Sequence, residues 1–222
     1  MNTQTHIEIA SLELKPRPLI ICDVDEVVLQ FVVAFERYIV RHGFRLDARS
    51  FALFGNITRS ADESKAGDAE VGDLLHAFFA AETGSMDLVP GALDALSALS
   101  ELAQIVLMTN IHAAYFQARL DNLLAHGLTY PVLANEGPKG PAVASLSARV
   151  TAPVFFVDDS PSNIRSVVRE APRAHIIHFM ADTRYLRLAE PMQGVSLKTG
   201  QWEEARSFIE ATIADSFDPT GT

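Results

Sequence analysis

Five short apolar runs, the first, second and fourth of which end in polar residues, constrain this chain more than any other feature. They are LIICDV (19–24), QIVLMT (104–109), PVLAN (131–135), VFFVDD (154–159) and AHIIHF (174–179). Each is too short for a buried helix and rich in Ile, Val or Phe, so each is predicted to be a strand. Their apolar positions are mostly consecutive rather than alternating, as in a parallel sheet covered on both faces. Amphipathic stretches separate the last four. GALDALSALSE, with Leu93, Leu96 and Leu99 at helical spacing, precedes the second run. AAYFQARLDNLLAHG, PAVASLSARV and PSNIRSVVREAP follow, and QWEEARSFIEATI comes after the fifth run. The pattern predicts an α/β fold with a doubly wound parallel sheet.

The interval between the first two runs breaks this rhythm, because it far exceeds a crossover of a dozen or more residues. FVVAFERYIVRHG reads as a helix ending at Gly43, and VGDLLHAFFAAETG as another ending at Gly84. The expectation is a core built from residues 1–29 and 88–222, with a small, mainly helical insertion over residues 30–87. A chain of 222 residues has room for both. Residues 180–200 show no assignable period.

The formal net charge of −10 argues against nucleic-acid or anionic-membrane surfaces, which need clustered Lys and Arg. The single cysteine, Cys22, excludes an intramolecular disulfide framework and fits a reducing compartment. The N-terminal segment lacks a basic start followed by an apolar core, and no run approaches the ~20 residues of a membrane span. A cytoplasmic protein is expected.

Ligands of an open parallel sheet bind beyond the carboxyl ends of its strands. Those ends carry Asp23 and Asp25, then Thr109 and Asn110, then Asp158 and Asp159. Residues two apart in an extended chain share a side, so Asp23 and Asp25 are expected to point the same way. Four converging carboxylates would repel one another unless a cation joined them. An all-oxygen site suits Mg²⁺, which shares its coordination with a substrate phosphate. Asn110 is placed where a helix begins, so backbone N–H groups there favour an anion. Lys139, just before Pro141, is available to neutralise a phosphate and an acidic neighbour. Ser160 reads as an N-cap followed by Pro161.

These pieces, in this order, resemble the haloacid dehalogenase (HAD) superfamily, most of whose members are phosphatases. Asp23, Asp25, Val27 and Val28 match its first motif, Thr109 its second and Lys139 its third. Asp158–Asp159 match its acidic fourth motif, with Ser160 and Asn163 following. The resemblance spans roughly residues 18–180, and the insertion resembles the family's helical C1-type cap. It implies that Asp23 is a nucleophile forming an aspartyl-phosphate. Asp25 would be the general acid and base, with its main-chain carbonyl helping to hold Mg²⁺. Asp23, Asp158 and Asp159 would be the other metal ligands, and Thr109, Asn110 and Lys139 would bind phosphate. An acid at position 25 favours phosphate esters over haloacids, because a departing alkoxide needs a proton and a halide does not. The implied activity is hydrolysis of a small phosphorylated metabolite. A phosphotransferase or mutase of the same superfamily, or a binding module without turnover, are the alternatives.

Two positions depart from the family pattern. Glu26 stands where many members have Gly, and either adds charge near the site or points toward the insertion. Asn163 stands where Asp is frequent and supplies hydrogen bonding without charge. His76 and His112 read as ordinary helix residues, His112 lying close to the phosphate end, and His175 and His178 as opposite faces of one strand. Arg59, Lys65 and Glu82 read as a solvated polar face. Cys22 reads as packing, since the Arg of a cysteine-phosphatase loop is replaced by Val28. GPKGPA lacks the spacing of a nucleotide P-loop. No motif specifies the substrate or the oligomeric state.

Overall fold

The computed structural model describes residues 9–217. The first eight residues, on which the expectation of no leader partly rests, lie outside that range. Six parallel strands form the main sheet: β1 (Leu19–Cys22), β4 (Gln104–Thr109), β5 (Val132–Ala134), β6 (Val154–Asp158), β7 (His175–Phe179) and β8 (Leu197–Thr199). Their spatial order is β5-β4-β1-β6-β7-β8, so β1 is central and the order reverses beside it. Cys22 lies level with Leu107 on one side and Val157 on the other, which brings three strand ends to a common rim.

Consecutive apolar residues in the strands serve two cores. Leu19, Ile21, Val106, Met108 and Phe156 pack beneath Val143 and Leu146 of α5 (Gly140–Ser147) and Ile164 and Val167 of α6 (Pro161–Glu170). Ile20, Cys22, Leu107, Phe155 and Val157 face α3 (Ala92–Leu102), α4 (Ala113–Ala125) and α8 (Trp202–Phe217). Alternation of side chains across each strand splits the run between the two layers. Cys22 is a fully buried packing residue.

The segment between β1 and β4 contains α1 (Phe31–Arg41) and α2 (Asp68–Glu82), with an antiparallel hairpin between them: β2 (Phe44–Leu46) and β3 (Ile57–Arg59). The hairpin, unforeseen in a mainly helical reading, uses strands too short to show a period. Phe35 of α1 meets Phe78 of α2 edge to face at 5.4 Å, and Phe31 stacks on Phe79 at 5.7 Å. The chain leaves and rejoins the sheet side by side: Leu29 bridges Leu88, and the Gln30 amide donates to the Leu88 carbonyl. Residues 180–200 hold α7 (Thr183–Leu188), capped by Asp182, as well as the edge strand β8.

Two details of the first strand differ from the extended reading. The strand stops at Cys22, and the chain then turns so that the Val24 carbonyl accepts from both Val28 and Leu29. Its support is remote. The Trp202 indole donates to the Val27 carbonyl at 2.8 Å, in the interior. No helix among the described residues is long and apolar enough to cross a membrane.

Candidate active site

Above the rim formed by β1, β4 and β6 lies a cleft of about 660 Å³, lined in part by Asp23, Asp25, Asn110, Lys139, Asp159 and Asn163. Asp23 and Asp25 both reach it, although a turn rather than an extended strand presents them. Asp23 Oδ1 accepts from its neighbour's backbone N–H, that of Val24, at 2.7 Å, and Lys139 Nζ lies 2.6 Å from the same oxygen. Oδ2 of Asp23 is left without a donor among the described residues.

Lys139 is wholly buried, so its ammonium must be compensated. It lies between two carboxylates, donating to Asp158 Oδ2 at 2.8 Å as well as contacting Asp23. Burial alone would lower the lysine's pKa, but Asp158 and Asp23 outweigh it and raise it. Asp158 is saturated. Its Oδ1 accepts from the Ser160 backbone N–H, and the Asn163 amide donates to both of its oxygens at 3.2 Å. An aspartate at position 163 would repel Asp158, whereas the amide supports it. Ser160 is the N-cap of α6, without a side-chain capping bond.

The expectation of four converging carboxylates is corrected to three. Oxygens of Asp23, Asp158 and Asp159 lie within 4.8 Å of one another. Asp25 lines the same cleft but stands outside this cluster: its Oδ1 accepts from Arg119 Nη2 at 2.5 Å. The Asp159 carboxylate accepts no hydrogen bond and makes no ion pair among the described residues. Burial, reinforced by Asp23 and Asp158, lifts its pKa well above the carboxylate range. Its main-chain carbonyl accepts from His178 Nε2 at 3.0 Å. A free acidic side chain within an all-oxygen cluster suits a hard divalent cation. Because Asp158 is already engaged, Asp23 and Asp159 are the better donors.

Thr109 ends β4 and is completely buried. Its hydroxyl accepts from the Ile111 N–H at 3.3 Å, and it does not itself line the cleft. Asn110 is not at the start of a helix as expected: α4 begins at Ala113, and His112 is its N-cap, accepting from the Ala114 N–H. The two-residue shift arises because Asn110 is held elsewhere, donating to the Gly137 carbonyl and accepting from Asn135.

The structure adds one group that sequence reasoning missed, Arg119, and places two that it had left open. Arg119 is fully buried, with Asp25 as its charged partner, a sulfur contact to Met86, and an Nε without a hydrogen-bond partner. A signal existed, since Phe116, Arg119, Leu120 and Leu123 share one helical stripe. Glu26 resolves toward the insertion. Its carboxylate accepts from the Val32 N–H in the first turn of α1 and from the Asp182 N–H before α7. Its φ of 62° lies in the left-handed region that favours Gly. Burial raises its pKa to about 7, against those two N–H groups. The third group comprises His76, Phe79, His112 and Tyr115, which line the cleft as well. His76 lies within α2 and His112 is the N-cap of α4. Arg59 pairs with Glu70 and Glu82 with Arg41, and neither is part of the cleft lining.

No protein-family model and no curated protein matches the sequence. Solved structures do match the fold. A conserved haloacid dehalogenase-like protein of unknown function from Agrobacterium tumefaciens superposes with a TM-score of 0.60 at 17% identity, covering 87% of this chain and 98% of that one. A HAD family hydrolase from Deinococcus radiodurans, solved with phosphate and sodium, gives 0.59 at 16%, covering 89% and 97%. YfnB of Bacillus subtilis, a HAD-type protein bound to magnesium, gives 0.59 at 15%, covering 88% and 99%. The chain has the haloacid dehalogenase-like fold.

Proposed function

We propose that this chain is a Mg²⁺-dependent phosphatase that hydrolyses a small phosphomonoester through an aspartyl-phosphate, with residues 30–87 acting as its cap. One observation carries this reading: Asp23 is held by Lys139 through one oxygen and left free at the other, in a cleft shared with Asp25 and Asp159. YfnB is bound to magnesium and the Deinococcus protein to phosphate and sodium, which supports a reading that pairs a cation with a phosphoryl group.

The free Oδ2 of Asp23 attacks phosphorus in line, and the bond to the leaving oxygen breaks. Asp25 gives that oxygen its proton. Burial raises Asp25's pKa, opposed by Arg119, which favours retention of the proton until it is needed. In the second half Asp25 takes a proton from water. The resulting hydroxide attacks phosphorus, the bond to Asp23 breaks, and phosphate leaves. Lys139 keeps Asp23 oriented and balances the charge developing around it. Asn110 lines the cleft and would face the phosphoryl group, with Thr109 buried behind it at the end of β4. Asp23, Asp159 and the Asp25 main-chain carbonyl would hold Mg²⁺, with Asp158 behind them, and the cation would supply charge neutralisation to the phosphoryl group.

The test is turnover of p-nitrophenyl phosphate with Mg²⁺ by the native protein and by Asp23→Asn. Activity in the former and its loss in a folded mutant is the expected result; equal turnover rejects the nucleophile.

A further inference from the structure

Part of the cleft is not explained by phosphoryl chemistry. His76 and Phe79 of α2, with His112 and Tyr115 at the start of α4, contribute four rings to the lining. Phe79 and Tyr115 lie nearly parallel, 21° apart with centroids at 6.3 Å. The Tyr115 hydroxyl lies 3.0 Å from His76 Nδ1, joining the two helices, and the His112 ring lies 6.0 Å from that of Tyr115. None of the four rings is buried: the histidines are exposed and the other two half-exposed. Aromatic rings left facing water beside reactive carboxylates offer stacking surface to a ligand.

Charge narrows the ligand. Among the lining residues Lys139 is the one Lys or Arg, and its ammonium is committed to Asp23 and Asp158. Asp23, Asp25 and Asp159 line the same space. A leaving group bearing a carboxylate or second phosphate would meet three acids and no spare fixed cation.

We propose that these four side chains form the leaving-group subsite, and that the substrates are phosphomonoesters whose alcohol is uncharged and carries a flat unsaturated ring. The assignment rests on the phosphatase reading for its chemistry, but not for its recognition. Three phosphonates differing in one substituent test it by calorimetry on the full chain with Mg²⁺: benzylphosphonate, ethylphosphonate and phosphonoacetate. Benzylphosphonate is expected to bind about tenfold more tightly than ethylphosphonate, from ring stacking and buried area, with phosphonoacetate weakest. Phe79→Ala and Tyr115→Ala should each shrink that ratio toward one. Tyr115→Ala is the safer variant, because Phe79 also packs against Phe31 and Phe78. Phosphonoacetate binding as tightly as benzylphosphonate, or a ratio unmoved by Tyr115→Ala, overturns the proposal. Turnover of benzyl and ethyl phosphate is read in parallel. Preserved binding order without turnover rejects the hydrolase reading and leaves the subsite standing; turnover without the order does the reverse.

Discussion

Arg119 and Asp25, ninety-four residues apart in sequence, form an ion pair with its guanidinium wholly inside the protein. A buried arginine with one charged partner is expensive unless the partner is held in return. Arg119 therefore positions the proposed general acid. Proton donation is worth about 10²–10⁴-fold where the leaving group is a poor one. Arg119→Met is expected to depress kcat for ethyl phosphate by about a hundredfold and for p-nitrophenyl phosphate by far less. Comparing the two substrates in the same variant separates this effect from general loss of folded enzyme. Equal losses on both would contradict it.

Lys139 offers a sharper stability test. Lys139→Met leaves Asp23 and Asp158 facing each other without their cation, and should cost about 3–5 kcal/mol. Urea denaturation measures this directly. Lys139→Arg should not rescue it, since a fully buried site shaped for an ammonium has no room for a planar fork.

The metal-free protein should lose stability as pH rises from about 4.5 to about 7. Asp25, Asp159 and Glu26 all have raised pKa values in the fold, so the native state binds more protons than the unfolded chain in that window. Stability then falls with rising pH, by about 3 kcal/mol for Glu26 alone if its value moves from 4.5 to about 7. Glu26→Gln should flatten part of the slope. Millimolar Mg²⁺ should raise Tm more at pH 7.5 than at pH 5. A Tm of the metal-free form that climbs steadily from pH 5 to 7.5 would refute the assignment.

Gly140 follows Lys139 at the start of α5. A methyl group there would meet the Ser166 Oγ at 2.3 Å and its carbonyl oxygen at 2.5 Å, so the two helices could not remain as close. Gly140→Ala should cost about 1–3 kcal/mol by overpacking, and shift the lysine enough to lower kcat. Thermal unfolding and steady-state turnover of one preparation check both.

Five of the sheet's six strands were legible because each lies in a compact apolar run, and the rim acids Asp23, Asp25 and Asp159 followed from the polar ends of two of them. The short strands β2, β3 and β8 were not, since FRL, ITR and LKT each mix polar residues into three positions, unlike the equally short but wholly apolar VLA of β5. Asn110 was misplaced because its distant partners at Asn135 and Gly137 outweigh its local capping tendency. Arg119 sat on an apolar stripe, a visible anomaly whose meaning depended on Asp25. The wall of His76, Phe79, His112 and Tyr115 joins two helices far apart in the chain, so no local pattern could announce it.

The bond from the Trp202 indole to the Val27 carbonyl spans 175 residues of sequence. During synthesis, the loop that presents the two aspartates can gain this brace only once residue 202 has emerged from the ribosome. Until then a nascent chain holds every acid of the cluster without the last of their scaffolding, and competence should come late in translation rather than strand by strand.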